Sequence, residues 1–241
     1  MDYINMLAFG VYPYIALAVF VIGTWIRYDR EQYTWKTSSS QMLESKQLRK
    51  GSLPFHVGII GIFFGHLVGL LTPKQVWHAL GVSNEMKQWV AIIAGGVFGL
   101  ICLYGLVILI NRRMNNVRVR VNSSSMDIFL LWILFAQLAL GLISIYYSTS
   151  HVVYGAEGEK AAVMVALMTW AQNIVTLDPV EAVAAVANNP VDWVFKLHVV
   201  LGMTIFLIFP FSRLVHMFSV PVQYITRQHQ VVRKKFAKPT Y

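Results

Sequence analysis

The sequence predicts an all-α integral membrane bundle of five transmembrane helices, N-terminus outside and C-terminus cytoplasmic, and three observations carry that expectation. The first is composition. Of 241 residues, 56% are hydrophobic and only 13% charged, and the mean hydropathy of +0.56 is too high for a soluble domain of this length. The second is a set of five apolar runs, at residues 3–26, 53–71, 89–110, 127–147 and 193–218, close to the roughly 20 residues a helix needs to cross hydrocarbon. The third is where Lys and Arg fall. Arg27, Arg30, Lys36, Lys46, Arg49 and Lys50 follow the first run, Arg112, Arg113, Arg118 and Arg120 the third, and Arg213, Arg227, Arg233, Lys234, Lys235 and Lys238 close the chain. The other side holds only Lys74, Lys87, Lys160 and Lys196, so the richer side is cytoplasmic. That pattern also accounts for the net charge of +9 without a nucleic-acid partner; the surrounding partner is membrane lipid.

Taken in order, the first run is preceded only by Asp2, with no basic segment ahead of it, and reads as a retained span. The second, FHVGIIGIFFGHLVGLL, carries His56 and His66. The third holds the single cysteine, Cys102, which excludes a disulfide framework, a cysteine-ligated iron–sulfur cluster and the attachment motif of c-type haem. Residues 161–177 could form a short sixth helix. A sixth crossing would turn the basic tail outward, so this segment is expected to be interfacial or buried on the outer side. The following LDPVEAVAAVANNP is expected to be a loop closed by Asn188, Asn189 and Pro190. The last run carries His198 and His216, with Pro210 between them. Residues 1–226 thus form the membrane domain and 227–241 a basic cytoplasmic tail.

An ionisable ring in hydrocarbon calls for a named partner. Four intramembrane histidines lie two to a run, and because the second and last spans run in opposite directions, His66 faces His198 near the outside and His56 faces His216 near the cytoplasm. Imidazole suits iron, and bundle cores are where such cofactors sit, so these four are candidate axial ligands of two haems. Interhelical hydrogen bonding and proton relay are the alternatives. The spacings differ: ten residues are about 15 Å of helix and eighteen about 27 Å. The mismatch has to be absorbed by helix tilt and by a bend at Pro210. Gly61, Gly65 and Gly69 form one ridge on the second span, fitted either to close helix packing or to a flat porphyrin face. Gly58 lies nearby, and Gly95, Gly96, Gly99 and Gly105 stand in the third span. His78, His151 and His229 lie outside the spans and receive no role.

The stretches YPYIALAVFVIGTWIRYDREQYTW, SSSQMLESK, FHVGIIGIFFGHLVGLLTP, VRVR and FKLHVVLGMTIFLIFPFSRLVHMFSVPVQYITR resemble the gamma subunit of respiratory membrane-bound nitrate reductase, the di-haem b, quinol-oxidising membrane anchor. The likeness covers nearly the whole chain and departs at residues 148–190 and in the tail after Arg227. It implies a distal haem b on His66 and His198, a proximal haem b on His56 and His216, and a quinol (menaquinol or ubiquinol) oxidised beside the distal one, at Lys87 in EMKQW with Gly65 and His66. It also implies iron–sulfur (beta) and molybdenum catalytic (alpha) partners at the cytoplasmic face, in the bacterial cytoplasmic (inner) membrane. Lys87 could otherwise be an interfacial lysine reaching for water, and Arg112 and Arg113 could pair with haem propionates or simply set topology. A cytochrome b anchor of formate dehydrogenase or hydrogenase type is the runner-up. A proton-coupled transporter is a weaker rival, since no internal repeat or paired broken helices are visible.

Overall fold

The computed structural model describes residues 3–35, 40, 42–156, 158–219 and 226–227, and every regular element among them is helical. Of the basic tail, only Arg227 lies within the described residues. Five helices are long and apolar enough to cross a membrane: α1 (Tyr3–Arg30), α2 (Ser45–Leu71), α3 (Asn84–Asn115), α4 (Ser125–Tyr154) and a last span, Trp193–Phe211. Two shorter helices, α5 (Ala162–Val175) and α6 (Pro179–Ala187), precede α7 (Trp193–Ile208), the α-helical part of that last span.

Helices run past the apolar cores because their polar flanks supply caps. Ser83 Oγ accepts from Met86 N at 3.2 Å to start α3. Ser124 and Asp127 start α4 with a reciprocal capping box, each side chain satisfying a backbone N–H that the first turn leaves without a partner. In α1, a π-helical stretch at Met6–Val11 leads into Pro13. Pro13 has no N–H to give the carbonyl four residues back, which belongs to Phe9. Trp170 Nε1 on α5 donates to that carbonyl at 2.9 Å instead.

Packing follows the small residues. A side chain at Gly58 would collide with Cys102 and the Phe98 carbonyl, one at Gly61 with the Phe98 ring, and one at Gly105 with the α2 backbone, so α2 and α3 lie in close contact. α4 packs on α3, and α7 packs on both α4 and α1. α2, which carries His56 and His66, and α7, which carries His198, are held mainly by these other neighbours and not by each other. Large apolar side chains such as Ile22, Phe64, Ile93 and Leu100 face outward, as the lipid-facing side of a span requires.

Two expectations change. Residues 179–187 are helix, not loop: Asp178 Oδ1 accepts from Glu181 N at 3.1 Å, with Pro179 in the first turn. An Asp cap followed by Pro is a helix start, and its apolar positions Ala182, Val183 and Val186 are buried with Phe9, Trp170 and Ile174. α5 and α6 therefore form a cap over the end of the bundle where α1 begins. The second change is in the last span, which does not continue as helix through 218. The α-helix ends at Ile208, Phe209–Phe211 is a 3-10 turn, Ser212 is extended (φ −114°, ψ 178°), and Arg213–Ser219 is a second 3-10 stretch. The bend expected at Pro210 is a full break, and the five-turn register assumed between His198 and His216 does not apply.

Candidate functional site

The structure brings the four histidines together as two pairs. His66 on α2 and His198 on α7 have ring centres 6.1 Å apart at the end of the bundle where α1 begins. His56 on α2 and His216, on the 3-10 stretch beyond the break, have ring centres 6.3 Å apart at the opposite end. The break resolves the spacing mismatch, because a chain that leaves its helix at Ile208 no longer has to place His216 five turns from His198.

The ring orientations have local causes. His56 Nδ1 donates to Ser52 O at 2.7 Å, His66 Nδ1 to Ile62 O at 2.9 Å and His216 Nδ1 to Arg213 O at 2.6 Å. A carbonyl can only accept, so in these three rings Nδ1 carries a proton, and the tautomer so fixed in the neutral ring is the one with its lone pair on Nε2. That is the arrangement in which metal-ligating histidines are held. His198 is the exception. Its Nδ1 is buried with no hydrogen-bond partner, as is Gln137 Oε1, while Gln137 Nε2 donates to His198 O at 3.1 Å and stands 3.4 Å from His198 Nε2. Gly141 closes in on the same ring: a Cβ there would lie 3.1 Å from His198 Cε1.

These residues fit a bis-imidazole group. An axial imidazole nitrogen lies about 2 Å from its metal, and the ring centre about 1 Å further, so two rings sharing one iron have centres about 6 Å apart. Both pairs have that separation. Among the described residues no three or more His, Cys, Asp or Glu converge on a metal position, so each pair offers two ligands and no protein cage. The glycine ridge divides in two. Gly58 and Gly61 pack against α3, whereas nothing lies within 4 Å of where a side chain at Gly65 or Gly69 would stand, leaving a flat open face on the turns that carry His66.

Lys87 is turned inward. It is 6% exposed, its Nζ donates to Gly69 O at 2.6 Å, it lies against Met168 Sδ on α5, and it stands 5.1 Å from the centre of the Trp77 ring. Gly69 is three residues beyond His66 on α2, so the ammonium and that histidine share one end of the bundle. Next to it, Gln88 is buried and donates to Ser148 Oγ at 3.0 Å on α4.

At the opposite end, Arg112 is committed to Ser40 Oγ, Ser40 O and Leu43 O, and Arg113 to Ser123 Oγ and Asp127. Arg49, with Ser45, Leu48, Ser52 and Leu53, lines a cavity of about 350 Å³ that His56 also lines. A larger cavity, about 600 Å³ among Ser83, Glu85, Lys160, Thr169 and Asn189, includes none of the four histidines. Arg49, Gln137 and Gly141 were not legible as site residues. The only available signal for Gln137 was a polar amide inside the apolar run of α4, which asks for a partner in the way the histidines do.

A family model described as nitrate reductase gamma subunit matches residues 5–235 of the chain. The respiratory nitrate reductase 1 gamma chain of Escherichia coli (strain K12) is 47% identical over 235 residues, 98% of this chain and 100% of the relative. The respiratory nitrate reductase 2 gamma chain of the same strain is 44% identical, covering 97% of this chain and 99% of the relative. The nitrate reductase gamma chain of Bacillus subtilis (strain 168) is 36% identical, covering 96% and 99%.

Proposed function

The chain belongs to the nitrate reductase gamma subunit family, and from that premise we propose that it is the membrane cytochrome b subunit of a respiratory nitrate reductase, oxidising quinol near the outer face. Its partners are the molybdenum-containing alpha and the iron–sulfur beta subunits, at the cytoplasmic face of the bacterial inner membrane. The observation that carries the reading is the pair of facing histidine pairs, 6.1 Å and 6.3 Å between ring centres. The membership favours this over the formate dehydrogenase or hydrogenase type of anchor.

His66 and His198 would hold the outer haem, and His56 and His216 the inner one. Two b haems bound there would supply one-electron transfer. The chain's own side chains do the rest. Ser52, Ile62 and Arg213 carbonyls fix three imidazoles in the tautomer that presents Nε2. Lys87, already buried and hydrogen-bonded at the turn after His66, donates to a quinol oxygen and orients the ring. Gly65 and Gly69 leave room for a flat ring to approach. Oxidation of one quinol to quinone releases two protons to the outside, where the cap of α5 and α6 stands on the lysine-poor side of the topology, and two electrons, which pass to the alpha and beta partners that reduce nitrate. Of the basic segment from Arg112 to Arg120, the exposed Arg118 and Arg120 face the cytoplasmic partners.

A reduced-minus-oxidised optical spectrum of the purified complex tests this. Two b-type centres are expected, one of them lost together with quinol oxidation in His66→Ala or His198→Ala, with the chain still in the membrane. A colourless wild type, or both variants retaining both centres, overturns the assignment.

A further inference from the structure

The break in the last span removes His216 from its helix, so something else has to fix it opposite His56. We infer that Arg27, Asp127 and Arg213 are positioning residues for His216, forming a two-sided clamp on the segment that carries it; this rests on the haem reading given above.

On one side, Arg27 of α1 reaches across to the broken strand. Its Nη1 donates to Pro210 O at 2.6 Å and to Ser212 O at 2.7 Å, and its Nη2 to Thr34 O at 3.0 Å. One guanidinium thereby donates to the carbonyls on both sides of the break. On the other side, Arg213 forms a two-pronged ion pair with Asp127 at the start of α4: Nε donates to Oδ1 at 2.6 Å and Nη2 pairs with Oδ2. Arg113 of α3 stands 3.5 Å from the same oxygen. Asp127 is itself fixed, because its Oδ2 accepts from Ser124 N at 3.0 Å in the capping box. The step to the ring is one residue type long: the carbonyl of Arg213 is the acceptor of His216 Nδ1–H at 2.6 Å. The side chain of Arg213 thus anchors to α4 while its backbone sets the rotation and tautomer of the imidazole. Ser212, at 2% exposure, closes the turn by donating to Phe209 O at 2.9 Å and accepting from Leu214 N at 3.1 Å. A planar fork can hold a carboxylate in this way and an ammonium cannot.

The outer pair shares none of these contacts and serves as the internal control. In the complete complex, redox titration of the two b centres by optical difference spectra is expected to show the inner centre lost or its midpoint potential moved in Arg213→Gln and Arg27→Gln, with the outer centre as in wild type. Arg213→Lys, which keeps the charge without the fork, is expected to restore the inner centre only in part. Should Arg213→Gln fail to accumulate in the membrane, Arg213→Lys and Arg27→Lys carry the same readout. Inner-centre content and potential unchanged across these variants, or both centres disturbed alike, would overturn the clamp while leaving the haem reading intact. A wild type with no b-type absorbance overturns both.

Discussion

Lys87 shows what one residue's surroundings decide. A lysine at the start of a span ordinarily extends its ammonium to water, yet here the headgroup is buried against Gly69 O and the Trp77 ring. A charge-assisted hydrogen bond is worth about 1.5–3 kcal/mol, so Lys87→Ala is expected to raise the KM for quinol roughly 10- to 100-fold with both b centres retained; unchanged quinol kinetics would return the residue to a structural role. Gly141→Ala makes a separate prediction. The added methyl would sit 3.1 Å from His198 Cε1, so the ring has to turn and the potential of the outer centre should move while that of the inner one does not. The histidine pairing could be read from the chain because it needs only the direction of two spans. The roles of Gln137 and Gly141 could not, since each depends on which residue stands opposite across 61 and 57 positions of helix and loop, a matter of helix rotation that periodicity does not set.

Among the elements, the five spans were legible because length and hydropathy decide them, whereas the two corrections concern local stops and starts. Asn188, Asn189 and Pro190 punctuate the chain as expected, but they end α6 instead of marking a loop, and the Asp178-Pro179 start that precedes them was the stronger signal. Removing that cap with Asp178→Ala should cost about 1 kcal/mol of helix stability, with proteolysis of the α5–α6 cap as the measurement. Pro210 announced a disturbance in the last span without its extent. At the break, Arg27 Nη1 donates to the Pro210 and Ser212 carbonyls, from a helix 183 residues earlier in the chain. The N-terminal turn of α1 is built the same way, on a donor from α5. Trp170→Phe keeps the packing and leaves Phe9 O buried without a donor, costing about 1–3 kcal/mol. At about 2–4 °C per kcal/mol for a chain of this size, the melting temperature of the purified protein should fall by several degrees.

For the molecule as a whole, the asymmetry of its ends is the organising feature. The end that carries Lys87 is covered by α5 and α6, and the opposite end is an arginine network of Arg27, Arg112, Arg113 and Arg213 tied to carbonyls and Asp127. Charge counting gives an expected orientation that can be tested directly. Cys102 is 1% exposed, so a cysteine introduced at Lys160 should react with a membrane-impermeant thiol reagent on intact cells, and one introduced at Arg118 only after lysis; the reverse pattern would invert the bundle. The covering of the first span by α5 also has a consequence in time. The donor that completes the Phe9 carbonyl lies 161 residues downstream, and a ribosome adding about 5–20 residues per second needs on the order of ten to thirty seconds to deliver it. The span that holds Phe9 is therefore finished long after it is made, and a nascent chain stopped short of Trp170 leaves that turn without its tryptophan donor.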